Sequence, residues 1–140
     1  MLLFHAGSLK KEYFEGRLFF TRSIEFARNC CDSEIYAMRV LDFDVLVEAD
    51  IEEEEDVLIQ TEIDELNDDF EYDFEGFIYT KDNMSPADYK YFFYIEGEDR
   101  WDLQARAISS IFENTNADVA LCEDGIVFRD ISRYKIRRIV

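Results

Sequence analysis

The sequence predicts an α+β fold, and three observations carry that expectation. Short runs rich in β-branched and aromatic residues stand at both ends of the chain, where they read as strands. Segments with helical spacing and helix-start signals lie mainly between them. The 140 residues hold one proline, no internal repeat and no low-complexity linker, so a single domain over 1–140 is the natural division. At 48% apolar and 16% aromatic, the chain has ample material for a core.

Taken in order, "MLLFHA" reads as the first strand and "GRLFFT" as the second, after a turn at Glu15–Gly16. Thr21 or Ser23 can cap a short helix running to about Cys30. "EIYAMRVLDFDVLV" reads as extended chain, one long strand or two. "IEEEEDVLIQTEIDELNDD" places Val57, Ile59, Ile63 and Leu66 at roughly helical spacing, with acids at its start to complement the helix dipole. "EYDFEGFIYTKDN" gives no decisive pattern. Ser85, Pro86 and Asp88 form a strong helix start before an aromatic run expected in the core. "RWDLQARAISSIFENT" is expected as a helix with Trp101, Leu103, Ala107, Ile108, Ile111 and Phe112 on its apolar face. "DVALCE", "GIVFRDI" and "YKIRRIV" close the chain as three short strands.

Charge divides the chain more sharply than composition does. Residues 1–40 and 103–140 each carry a net +1, whereas residues 41–102 set three bases against twenty-three acids, for −20 of the total −18. The segment at about 48–100 therefore reads either as a solvated acidic insertion or as a docking surface for a basic partner, such as a nucleic-acid-binding protein. Direct nucleic-acid binding is excluded by repulsion from phosphates. No run is long and apolar enough to span a membrane, and the N-terminus lacks the pattern of a secretory signal. Cys30, Cys31 and Cys122 are odd in number and lack metal-ligand spacing, so no metal site and a reduced, cytoplasmic setting are expected.

No Gly-rich phosphate loop and no GxSxG element is present. What stands out is an ordered set: His5 closing the first strand, Phe26 on the first helix, Tyr36 opening the third strand and Glu123 closing a late strand. Each has an ordinary reading on its own. The histidine would be a satisfied strand-end residue, Phe26 core, Tyr36 packing, and Glu123-Asp124-Gly125 a hairpin turn. In this order, "FHAGS", "EFARNCCDSEIY" and "VALCEDG" resemble the motifs of ADP-ribosyltransferases of the histidine–tyrosine–glutamate type, the group that includes diphtheria toxin and the poly-ADP-ribosylating enzymes. A closer resemblance, over nearly the whole chain except its middle, is to a phage anti-CRISPR member of that family. It rests on Phe4-His5, Leu18–Phe20, the run from Tyr36 to Val40, the helix start at Trp101 and "DVALCED".

The resemblance implies two small β-sheets forming a cleft with flanking helices, and NAD as the ADP-ribose donor. Glu123 would be the catalytic carboxylate, stabilising positive charge on the ribose as the nicotinamide bond breaks. Phe26 and Tyr36 would hold the nicotinamide ring between them. His5 would bond the adenosine-side ribose, the backbone at Ala6 would grip the amide, Gly7 would allow a close turn, and Ser8 and Thr21 would complete the cofactor-binding set. Phe26 replaces a usual tyrosine, keeping the ring face and losing the hydroxyl; Ala6 stands where many members have glycine. The related anti-CRISPR carries aspartate where Glu123 stands, so Asp124 is an alternative carboxylate, with the "VALCE" register favouring Glu123. The implied target is a subunit of a bacterial type I CRISPR surveillance complex, whose DNA binding the added ADP-ribose would block. The competing readings are an acidic decoy that occupies a basic groove without chemistry, and an NAD hydrolase with water as acceptor.

Overall fold

The computed structural model describes residues 1–9, 18–30, 34–95, 97–123 and 125–140. The architecture is mixed α+β. β1 (Leu2–Ala6) pairs antiparallel with β3 (Ile35–Arg39), which pairs antiparallel with β9 (Ile136–Arg138). A second sheet has the order β2 (Phe19–Phe20), β8 (Gly125–Phe128), β7 (Val119–Cys122) and β4 (Glu48–Asp50), with only the β4–β7 pair parallel. The two sheets are bridged along the backbone where Phe4 and Thr21 exchange hydrogen bonds of 2.8 Å each way. The residues expected between Gly7 and β2, including the turn at Glu15–Gly16, lie partly outside the described residues, as do Cys31 and Asp124.

The strand expected from Glu34 to Val47 divides in two. β3 ends at Arg39, a 3-10 turn occupies Phe43–Val45, and β4 starts at Glu48. The two pieces join different sheets, and burying Phe43 at the turn anchors the crossover. Val47 and Asp118 then lock β4 against β7: the Val47 N–H donates to Asp118 Oδ2 at 2.8 Å, and the Asp118 N–H donates to the Val47 carbonyl at 2.7 Å.

α1 (Ile24–Cys30) starts at Ser23, whose Oγ accepts from the Phe26 N–H at 3.2 Å. α2 (Ile51–Asp64) is capped by Asp50 and buries Ile51, Glu55, Ile59 and Ile63, a four-residue step along one face. Val57 lies on the outer face and is exposed, contrary to expectation, because it falls two positions from that stripe. α3 (Pro86–Phe93) begins with a complete capping box between Ser85 and Asp88. α4 (Glu98–Asn114) buries Leu103, Ala107, Ile108, Ile111 and Phe112 as expected. Trp101 is exposed instead.

"EYDFEGFIYTKDN", which gave no pattern, is a hairpin of β5 (Glu71–Phe74) and β6 (Phe77–Thr80). Its two-residue turn, Glu75-Gly76, has positive φ at both positions (52° and 87°), the geometry whose twist matches antiparallel strands. The core runs through three patches: Leu3, Phe20, Met38 and Phe128 between the sheets; Ile51, Ile108 and Val127 under α4; and Ile59, Ile63, Met84 and Leu103 between α2 and the hairpin. Fully burying a ring such as Phe20 contributes roughly 1.5–3 kcal/mol. No helix among the described residues is long and apolar enough to cross a membrane.

Candidate active site

The site is built where β2 runs into α1 and where β7 turns into β8. Thr21 follows β2 directly, and its Oγ1 accepts from the Ser23 N–H at 3.3 Å, just ahead of α1. On the facing hairpin, Cys122 pairs with Gly125 and Glu123 stands in the turn between them. Between these two corners is a cavity of about 320 Å³, lined by Thr21, Arg22, Phe26, Cys122, Glu123 and neighbouring backbone. That volume lies at the lower end of small-molecule sites, roughly 300–1,000 Å³.

The hairpin approaches β2 closely because position 125 has no side chain. A Cβ built on Gly125 would overlap the Phe19 ring. Phe19 pairs with Val127 and Phe20 with Ile126, so this contact sets how near the Glu123 corner comes to the Thr21 corner.

Of the expected site residues, Thr21, Phe26 and Glu123 meet at this cavity. Phe26, which on its own reads as core, keeps 38% of its surface open and lines the cavity. Glu123 is exposed and sits just past the end of β7, a correction to its expected place on the strand; the register stops at Cys122 because Cys122 faces Gly125 across the turn. Asp124, the alternative carboxylate, lies outside the described residues. Arg22 was not singled out by sequence, yet it brings the one cation among the described lining residues. Its guanidinium lies 5.6 Å from the Phe43 ring centre. The only signal for it in the sequence is a base directly after the second strand.

His5, Ala6, Gly7, Ser8 and Tyr36 form a second group, at the adjoining end of β1 and β3, and do not line the cavity. His5 stands opposite Tyr36, and Tyr36 stands opposite Arg138, so the three share one rung on one face. His5 Nδ1 lies 2.8 Å from the Phe19 carbonyl and Nε2 lies 2.9 Å from the Ser8 carbonyl. Both nitrogens are therefore met by main-chain oxygens, and the imidazole ties β1 to β2 immediately before the cavity corner. Gly7 adopts φ 98°, open to glycine and strained for other residues, and its N–H donates to the Glu34 carbonyl at 2.8 Å. The Tyr36 hydroxyl donates to Glu34 Oε2 at 2.6 Å, and this bond to a carboxylate raises its pKa. Arg138 reaches the other Glu34 oxygen at 3.6 Å.

Leu121 also borders a second cavity, of about 450 Å³, walled by Glu48, Asp50, Glu53 and Glu54. Two of these acids have structural duties: Asp50 accepts from the Glu53 N–H at 3.0 Å as helix cap, and Glu54 accepts from the Ser110 hydroxyl at 2.6 Å. Among the described residues, no group of three or more His, Cys, Asp or Glu is arranged to hold a metal ion. No family model matches the chain, and no curated protein or solved structure matches it.

Proposed function

We propose that this chain is an NAD-dependent protein ADP-ribosyltransferase of the histidine–tyrosine–glutamate type, acting as a phage anti-CRISPR enzyme in the bacterial cytoplasm. The observation that carries the reading is that Phe26 and Glu123, ninety-seven positions apart, wall one cavity together with Arg22. A ring face, a carboxylate and a guanidinium are the three groups that NAD needs at such a place: one for the nicotinamide, one for the ribose, one for the diphosphate. In the reaction, the bond between ribose C1′ and the nicotinamide nitrogen breaks and its electron pair leaves with nicotinamide. An acceptor side chain forms the new C1′ bond and gives up a proton. Glu123 stabilises the positive charge that builds on the ribose between these events.

His5 takes part by position. Its Nδ1 contact holds the β1–β2 corner, while its Nε2 contact, to Ser8 in an exposed turn, is the one that a ribose hydroxyl exchanges on binding. The acidic segment brings the enzyme to a basic, nucleic-acid-binding subunit of a CRISPR surveillance complex, and the two added phosphates then repel DNA.

The exposed acids of residues 41–102 also support a second reading, a non-enzymatic decoy that imitates a phosphate backbone. One experiment separates them. A trace of the chain is incubated with a purified type I surveillance complex, with and without NAD, and the subunits are weighed by mass spectrometry. Transfer adds one ADP-ribose per modified subunit, at substoichiometric enzyme, only with NAD. Equal inhibition of DNA binding without NAD, needing one chain per complex and fading in high salt, establishes the decoy. Free ADP-ribose with no subunit gaining mass establishes hydrolysis.

A further inference from the structure

The β5–β6 hairpin puts its aromatic residues on one face. Tyr72 pairs with Tyr79 and Phe74 with Phe77, so four rings share that side. α3 covers part of it: Phe92 packs against Tyr72 at 4.9 Å, Phe74 at 5.0 Å and Tyr79 at 4.9 Å between ring centres. The covering is incomplete. Phe77 stays 56% exposed and Tyr91 65% exposed; touching rings join them through Tyr79 and Phe92, and Phe74, the cross-strand partner of Phe77, also meets Tyr91 at 6.2 Å. Exposed aromatic runs of this kind are costly to leave in water and mark interaction surfaces.

The charge around the rings decides what they meet. Residues 67–95 hold seven acids and two bases. Both bases are turned to the chain's own acids: Lys81 to Asp68 at 3.6 Å, and Lys90 to Asp56 at 3.2 Å. Glu75 and Asp82 remain exposed in the turn and just past the second strand of the hairpin, while Glu71 and Asp73 are exposed on its opposite face. Such a surface repels phosphates and anionic lipid, and it repels a second copy of itself. It suits a group that is at once cationic and flat. The guanidinium of arginine stacks on ring faces and forms paired hydrogen bonds with carboxylates, which the ammonium of lysine does not.

We infer that the hairpin and α3 form a docking surface for an arginine-rich protein face, with Phe77 and Tyr91 as stacking platforms and the acids at the two ends of the hairpin, Glu75 and Asp82, as hydrogen-bond partners. This extends the partner half of the proposed function and is independent of its NAD half.

The test titrates the full chain, labelled for amide NMR, with a short arginine–serine peptide and with a lysine–serine peptide of equal length and charge, at about 0.15 M salt. The arginine peptide binds several-fold more tightly, and its shifts centre on residues 71–79 and 86–93. Phe77→Ser combined with Tyr91→Ser weakens arginine-peptide binding about fivefold to thirtyfold and leaves lysine-peptide binding little changed. The thermal midpoint and any NAD turnover of the variant are followed in parallel, so that loss of fold or of the cavity's chemistry reads separately. Equal affinity for the two peptides overturns the inference. So do shifts centred on another face, or self-association through this one in sedimentation.

Discussion

His5 and Tyr36 face each other across β1 and β3, and the imidazole of His5 reaches past that pair to the Phe19 carbonyl, 2.8 Å away on β2. One side chain thus connects both sheets at the point where the chain enters the cavity. Replacing it by alanine leaves the part-buried Phe19 carbonyl without that partner, which costs about 1–3 kcal/mol. His5→Ala is therefore expected to lower the urea midpoint and to speed amide exchange at Phe4 and Thr21, whose mutual bonds depend on the same corner. An unchanged midpoint would show that the ring is not a brace.

Glu123 is exposed, so its carboxylate can be altered without disturbing the core. On the proposed reading, Glu123→Gln reduces NAD cleavage about 10²–10³-fold with an unaltered thermal midpoint. Asp124→Asn serves as the comparison and retains most of the rate. The reverse pattern would move the catalytic carboxylate one position along the turn.

Gly125 is where β2 and the β7–β8 hairpin come closest. Gly125→Ala forces the new methyl against the Phe19 ring, and overpacking of this kind costs about 1–3 kcal/mol. Phe19→Leu in the same chain removes the opposing ring carbons and is expected to recover part of the loss, a coupling readable in a double-mutant cycle by chemical denaturation. Additive losses would mean that the strain is taken up elsewhere.

Glu55 is buried in α2 with Lys90 at 3.8 Å, and Arg100, Glu52 and Asp56 also act on it. Burial, the largest influence, raises its pKa above the ordinary value of 4.5 despite the two cations. Between the ordinary and the raised value, the folded chain holds more proton than the unfolded one. This group's contribution therefore grows as pH falls through the raised value, levels off below 4.5 and is lost as pH rises. Glu55→Gln keeps the shape and removes the buried charge, while Lys90 retains Asp56 at 3.2 Å. The variant is expected to be more stable than the parent at pH 7, with the gap closing toward pH 4.5. A less stable variant at pH 7 would show that the Lys90 pairing outweighs burial.

The sequence by itself determined the α+β class, a helix start at Thr21 or Ser23 and one at Ser85, most of the buried face of α4 and the hairpin before Gly125, because each depends on neighbours within a turn or two. It also marked His5, Phe26, Tyr36 and Glu123 as an ordered set, of which only Phe26 and Glu123 line the cavity. Only the tertiary structure decided that Arg22 lines the same cavity, that the two His5 nitrogens lie against the Phe19 and Ser8 carbonyls, and that Trp101 and Val57 are exposed. Local pattern records which side of an element is apolar. It does not record which strand lies next to which, and here the β2–β8 contact and the Phe4–Thr21 bridge, between residues far apart in the chain, set the cavity's walls.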